Sequence, residues 1–309
     1  MEKVAFLFAG QGSQYAGMGK DLYENFPEAR QVFDKACEVL GIDLKKLAFE
    51  GPDQVLKPTN ISQPAIVTMT IAAYEAFKKI HGVVPVFCAG LSLGEYSALI
   101  ASGSISFSEG ISLIKKRGEI MEEAAKKHPG KMAAVIDLAS DKLADICKNT
   151  GAQIANLNCP GQTVITGTAD AVAKASAAAQ EAGAKRVIQL EVSGGFHSSL
   201  MKEASLELEA VLNTINIKDA QIPVISNYTA QPQTDAKAIR ADLVSQIYSS
   251  VRWEESMRCI LAQGVTRFVE FGPGKVLKGL MRRIDPSAQV YSIEKKDDII
   301  NFAQTEAKA

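Results

Sequence analysis

Short apolar runs at Val4–Phe8, 83–88, 223–226, Arg267–Phe271 and 289–292 punctuate the chain, each flanked by glycine, proline or polar residues. Runs of this length suit strands buried on both faces. Between them, apolar residues recur at helical spacing, most clearly over 65–80 and 111–126. The alternation predicts a mostly parallel sheet covered by helices. Residues 131–192 break that rhythm, reading as strand 132–138, helix 141–150, strand 153–158, strand 163–167, helix 170–182 and strand 186–192. This β-α-β-β-α-β succession is the ferredoxin-like unit. The predicted organisation is therefore an α/β large domain made of 1–128 and 193–309, interrupted by a ferredoxin-like α+β small domain at 129–192. The alanine-rich stretch 169–184 favours an ordinary surface helix that stops at Gly183, and no internal repeat stands out.

The run 83–88 leads into Gly90-Leu91-Ser92-Leu93-Gly94, and helix-forming residues 95–100 follow at once. A serine on a sharp strand-to-helix turn is a nucleophile elbow, and it makes the large domain hydrolase-like. Side chains at Gly90 or Gly94 would collide with the flanking strand and helix. The turn lifts the hydroxyl clear of the sheet, and the helix N-terminus offers unpaired N–H groups to a developing oxyanion.

A serine nucleophile needs a base, and the chain has three histidines. His81 lies beside Gly82 where an apolar helix ends, a usual place for a basic residue. His128 falls in the polar turn Lys126-Lys127-His128-Pro129-Gly130 and reads as solvated. His197 follows Val192-Ser193-Gly194-Gly195-Phe196, where a strand ends and a helix starts near Ser198. Open α/β sheets gather their sites at such ends, so His197 is the candidate base. No acidic residue between Ser92 and His197 stands out as a partner behind the ring; Glu109, Glu119 and Glu122 fall in helices. Without one, His197 is expected to titrate near the ordinary value of ~6.5.

In the stretch 111–126 the apolar face runs through Leu113, Ile114, Ile120, Met121, Ala124 and Ala125, and Arg117 falls inside it. An arginine among core positions ordinarily pairs with a structural carboxylate. Its planar fork equally suits bidentate capture of a substrate carboxylate.

Two glycine-rich turns invite a phosphate reading. Gly10-x-Gly12 has Tyr15 where a dinucleotide fingerprint requires its third glycine, which argues against a Rossmann site. Gly272-Pro273-Gly274-Lys275 lacks the Ser or Thr of a phosphate loop, so a tight turn is expected. Lys275, Lys278, Arg282 and Arg283 recur beyond it as a basic helix face, ordinarily solvated but suited to an acidic partner.

Composition is that of a globular enzyme: 309 residues, 47% hydrophobic, 22% charged. A net charge of −1 gives no support for nucleic-acid binding. Five scattered cysteines without a Cys-x-x-Cys spacing suggest neither a disulfide framework nor a zinc site. The apolar run after Met1-Glu2-Lys3 is too short for a signal-peptide core and no segment reaches membrane-span length, so a cytoplasmic protein is expected.

Gly10-Gln11-Gly12-Ser13-Gln14, Gly90-Leu91-Ser92-Leu93-Gly94-Glu95-Tyr96, Lys116-Arg117-Gly118, Gly195-Phe196-His197-Ser198, Gln246-Ile247-Tyr248 and Phe271-Gly272-Pro273-Gly274 fall in one order along nearly the whole chain. Together they resemble the malonyl-CoA:acyl carrier protein transacylases. One departure is Leu91, where a histidine commonly precedes the serine; proton transfer does not need that residue. The resemblance implies malonyl transfer from malonyl-CoA to acyl carrier protein, with coenzyme A thioester as substrate and no metal or bound cofactor. It implies Ser92 as nucleophile, His197 as base, N–H groups of Gln11 and Leu93 as oxyanion donors, and Arg117 as ligand of the malonyl carboxylate. The Gln246 main-chain carbonyl would stand where hydrolases place an acid, although the residues alone would put Gln246 on a helix surface. Gln63, before Pro64 at a helix start, and Met121 are implied as supporting residues of the pocket. A monomer is expected, with no membrane or nucleic-acid partner. Two rivals stay open from sequence: a serine hydrolase or thioesterase using the same residues, and a non-catalytic interaction module.

Overall fold

The computed structural model describes residues 3–302, so residues 1–2 and 303–309 of the predicted outer segment lie outside the described residues. Its strands are β1 (Val4–Phe8), β2 (Phe87–Gly90), β3 (Lys131–Ile136), β4 (Gln153–Cys159), β5 (Gln162–Gly167), β6 (Arg186–Gln189), β7 (Val224–Ile225), β8 (Pro232–Gln233), β9 (Arg267–Phe271) and β10 (Gln289–Ile293). They form a six-stranded sheet in the order β10-β9-β1-β2-β7-β8 and a four-stranded sheet in the order β4-β5-β3-β6. The first is parallel except for the β7–β8 pair, and the pairings of the second are all antiparallel. The fold is mixed α/β, with the antiparallel sheet drawn from chain that runs between β2 and β7.

β1 lies at the centre because all five of its residues are buried. Successive side chains leave opposite faces of a strand. Val4, Phe6 and Phe8 enter the main core, while Ala5 and Leu7 pack on the other face with Trp253, Phe268 and Met281. Phe6 meets Phe271 edge-on with ring centroids 5.0 Å apart. Register then positions the loops: Phe8 pairs with Gly90 across β1 and β2, so the chain leaves both strands side by side.

Several boundaries differ from the expected ones. The second strand begins after Pro85, which has no N–H to donate, and runs on to Gly90 rather than stopping at residue 88. The run at 223–226 shrinks to Val224–Ile225, which pairs with β2 only at Cys88. The sixth strand ends at Gln189, short of the glycine pair at 194–195. The helix expected from residue 65 spans Thr59–His81 and contains Pro64, so Gln63 sits inside a helix rather than at its start. Close packing against the Phe107–Lys127 helix offsets the hydrogen bond that Pro64 cannot make: a Cβ on Gly118 would lie 2.8 Å from Asn60 Cα.

The four-stranded sheet is tied to the segment just before the Trp253–Ala262 helix. Val251 bridges Asn156, its N–H donates to Ala155 O at 2.8 Å, and its carbonyl accepts from Leu157 N at 2.9 Å. Among the described residues no helix is long and apolar enough to cross a membrane.

Candidate active site

The chain between β2 and the Leu93–Ala101 helix turns so tightly that Ser92 adopts φ 51°, ψ −98°, outside the regions open to most residues. Glycines permit the turn. A Cβ on Gly90 would stand 2.0 Å from the Gly94 carbonyl, and one on Gly94 would stand 2.1 Å from Phe8 O. Residues held in such conformations cost ~1–3 kcal/mol and persist only where their surroundings over-determine them. Here Asn227, at the end of β7, supplies that hold: Ser92 N donates to its Oδ1 at 2.6 Å, and its Nδ2 donates to Gly90 O at 2.8 Å.

The loop carrying His197 also has a left-handed residue, His197 itself at φ 57°. The four-stranded sheet supports it from behind, with Thr166 Oγ1 donating to Phe196 O at 2.8 Å. His197 Nε2 lies 2.8 Å from Ser92 Oγ, and Nδ1 lies 2.9 Å from the main-chain oxygen of Gln246. A carbonyl only accepts, so Nδ1 carries the proton and Nε2 is left to accept from the serine hydroxyl. Burial and the nearby Arg117 charge lower the histidine pKa to about 4. The expected ordinary value of ~6.5 is thereby overturned, because the sequence discloses neither the enclosure nor the cation.

Arg117 is buried on the Phe107–Lys127 helix and donates to Gln63 Oε1 at 2.9 Å, Ser92 Oγ at 3.2 Å and Gln246 Oε1 at 3.3 Å. Its guanidinium carbon lies 5.1 Å from the Tyr96 ring centroid. Among the described residues no carboxylate lies within ion-pair distance of it and its Nε has no hydrogen-bond acceptor, although the buried Glu95 feels its charge across the Gln246 amide. A buried cation attended only by neutral oxygens is costly. It is also pre-set for an anion brought from outside.

The remaining candidates converge on the same place. Gln63 Nε2 donates to Gln11 Oε1 at 3.1 Å and lies 3.5 Å from Met121 Sδ. Gly10 abuts the elbow, where a Cβ would stand 2.5 Å from Leu91 O, so the first loop and the serine turn do meet. Leu93 begins the helix after Ser92, where N–H groups have no intrahelical acceptor. Gln246 is buried rather than on a helix surface, because it closes the Ala236–Gln246 helix against the elbow.

Other candidates fall away. His81 Nε2 is 2.7 Å from Ile299 O, and His128 lies 3.6 Å from Glu203, both far in role from the serine. The turn at Gly272–Lys275 seats no phosphate, since Glu270 already accepts from Leu277 N and Lys278 N at the start of the next helix. Arg283 of the expected basic face pairs with Asp137 at 2.7 Å.

Sequence reasoning missed Glu95 and Asn227. Glu95 is fully buried three residues past the nucleophile, and its Oε2 accepts from Gln246 Nε2 at 2.8 Å and Asn227 N at 3.1 Å. Burial raises its pKa to about 7. The available signal was Ser92-x-x-Glu95, which has capping-box spacing at a helix start. The structure makes no such box, because Ser92 gives no side-chain cap.

Known proteins resemble this chain over nearly its whole length. The model of the acyl transferase domain matches residues 5–295. The malonyl CoA-acyl carrier protein transacylase of Bacillus subtilis (strain 168) is 47% identical over 310 residues, covering 99% of this chain and 98% of that protein. An acyl carrier protein S-malonyltransferase from Vibrio cholerae superposes with a TM-score of 0.94 at 39% identity, covering 97% of this chain and all of the other. A malonyl-transacylase solved in complex with a type II PKS acyl-carrier protein superposes at 0.96, with 38% identity and coverage of 98% and 100%. With a family match across almost its whole length and a serine, a histidine and an unpaired arginine meeting at the elbow, this chain belongs to the acyl transferase family.

Proposed function

We propose that the protein transfers the malonyl group of malonyl-CoA to the phosphopantetheine thiol of acyl carrier protein through a malonyl ester on Ser92. Ser92 Oγ attacks the thioester carbon and His197 Nε2 takes its proton. The tetrahedral oxyanion sits against the N–H groups of Gln11 and Leu93; as it collapses, the C–S bond breaks and coenzyme A leaves with the proton from His197. The carrier thiol then attacks the ester, His197 receives its proton, and Ser92 Oγ recovers that proton as the C–O bond breaks. Thioester is exchanged for thioester, so no oxidant, reductant or bound cofactor enters the balance.

Arg117 carries the substrate assignment. Its guanidinium lies 3.2 Å from Ser92 Oγ and is hydrogen-bonded only to neutral oxygens, with the Glu95 carboxyl set back behind the Gln246 amide. An acyl group bearing a carboxylate supplies a counter-charge at the right distance. Gln63 and Met121 hold the arginine and the first loop in place, and the Gln246 carbonyl fixes the histidine tautomer.

We further read residues 1–128 and 193–309 as a hydrolase-like large domain and 129–192 as a ferredoxin-like small domain. The order β4-β5-β3-β6 with antiparallel pairing is the arrangement that such a unit adopts. Five free cysteines suit a reducing cytoplasm, and a monomer is the expected state in solution.

Intact-mass measurement after mixing with malonyl-CoA tests the reading. A malonyl adduct that persists in water, is discharged by acyl carrier protein and is absent from Ser92→Ala is the expected result. Rapid loss of the adduct to water would instead identify a hydrolase, and no adduct at all would leave only a binding module.

A further inference from the structure

Resting on that reading, we propose that Glu95 is a positioning residue: it orients the Gln246 side-chain amide, and through it presents Arg117 to the substrate carboxylate.

Donors and acceptors leave the Gln246 amide one way to lie. Its Nε2 faces two acceptors, Glu95 Oε2 at 2.8 Å and Ser92 O at 3.0 Å, while its Oε1 faces the donor Arg117 Nη2 at 3.3 Å. Reversed, the amide would set its NH2 group against a guanidinium, which has no acceptor. Ser92 O alone would hold it weakly; Glu95 Oε2 makes the choice decisive. The same oxygen accepts from Asn227 N at 3.1 Å, and Asn227 straps both sides of the serine turn. One carboxyl oxygen thus ties the elbow, the arginine and the residue whose main-chain carbonyl aims His197.

The placement is costly unless it is used. At the third position of a helix a glutamate ordinarily turns back to the N-cap backbone in exposed surroundings. That duty has passed to Asn227 Oδ1, and Glu95 is wholly buried with Oε1 unpartnered. Held behind a neutral amide, its carboxyl makes no direct contact with Arg117, although it feels the guanidinium charge. Gln63 Oε1 and Gln246 Oε1 hold the guanidinium instead, which leaves its charge for the malonyl group. Because Oε2 accepts both hydrogen bonds, the proton of the neutral acid goes to Oε1, and the link to Gln246 is the same in either protonation state. The acceptor, not the charge, is what matters.

The test compares malonyl and acetyl adduct formation on the whole protein by intact mass, with melting temperature measured in parallel. Glu95→Gln keeps an acceptor and should retain the malonyl-over-acetyl preference to within about threefold, whereas Glu95→Leu should lose about tenfold or more of it, mainly through malonyl, as expected for a lost buried hydrogen bond. Equal losses for both acyl groups in Glu95→Leu would reduce Glu95 to a structural support and overturn the proposal. So would Glu95→Gln behaving like Glu95→Leu. If Glu95→Leu does not fold, Gln246→Met reads the same link from its other end, since it removes the amide and keeps the main-chain carbonyl; an unchanged preference there overturns the proposal too. A wild-type protein that forms no malonyl adduct would defeat the functional reading itself, a result distinct from any of these.

Discussion

Around Ser92 the six-stranded sheet ends in a backbone at φ 51°, ψ −98°, and packs Glu95, Arg117, Gln63 and Gln246 into positions closed to water. The four-stranded sheet buries polar side chains too, Asn156, Asn158, Thr163 and Thr166, but no charged one. Its core is Leu143, Ile165, Val172 and a row of alanines, Ala171, Ala175 and Ala179, spaced to bring a helix close to the strands. Its non-glycine residue with positive φ is Asp137, a type that tolerates the left-handed region, in a turn whose N–H is satisfied by Gly161 O at 2.8 Å. Yet Thr166 from this unit anchors the chain next to His197. The two regions thus differ in what they bury: one accommodates backbone strain and charged groups at the serine turn, and the other is a packed wall with only neutral polar side chains inside, against which the histidine loop is set.

The largest effect that would sharpen this contrast is at the base. His197→Ala should slow adduct formation by ~10²–10⁴-fold while leaving the melting temperature nearly unchanged. Wild-type rates in that variant would move the base elsewhere and erase the distinction. Arg117→Ala should follow, lowering malonylation by the ~2–4 kcal/mol of a desolvated charge-assisted contact. Acetyl transfer should fall far less, because an acetyl group leaves the guanidinium unpaired even in the wild type; parallel losses with reduced stability would recast Arg117 as a structural residue.

Leu143→Ala probes the other side of the comparison. A cavity in the small core should cost ~2–4 kcal/mol of unfolding free energy in denaturant titration, with the adduct rate per folded molecule unchanged. A lower rate would mean that the wall tunes the site rather than merely bearing it. The smallest effect is a displacement on the pH axis. With the His197 pKa lowered to about 4 by burial and Arg117, the base stays unprotonated through neutral pH. The acylation rate should therefore hold level on acidification and fall only as pH drops through about 4, malonyl ionisation being held constant. In Arg117→Ala one of the two depressing influences is gone, so the acid limb should move to higher pH. A wild-type limb near ~6.5 would mean that water reaches the ring.

The elbow was legible because its cause is local: Gly90 and Gly94 are required by contacts within one turn of chain, and the flanking run and helix are periodic. His197 followed by elimination among three histidines, and the placement of Arg117 followed from the stripe around it. The boundary errors at 83–88 and around Pro64 came from weighing local propensity against packing that the sequence does not display. Glu95 escaped notice for a related reason, since its partners Asn227 and Gln246 lie 132 and 151 positions away.

By itself, then, the amino-acid sequence determined the alternation of strands and helices, the serine turn and the short roster of residues able to serve it, all features governed by neighbours a few positions apart. Tertiary structure alone decided how those residues work. Ser92 and His197 are 105 positions apart, Arg117 and Gln246 129, and Asn227 and Glu95 132. Whether a histidine titrates near its ordinary value, an arginine finds a counter-charge or a glutamate is buried depends on desolvation and on charges brought in by distant chain, and those exist only once the sheets have closed around them.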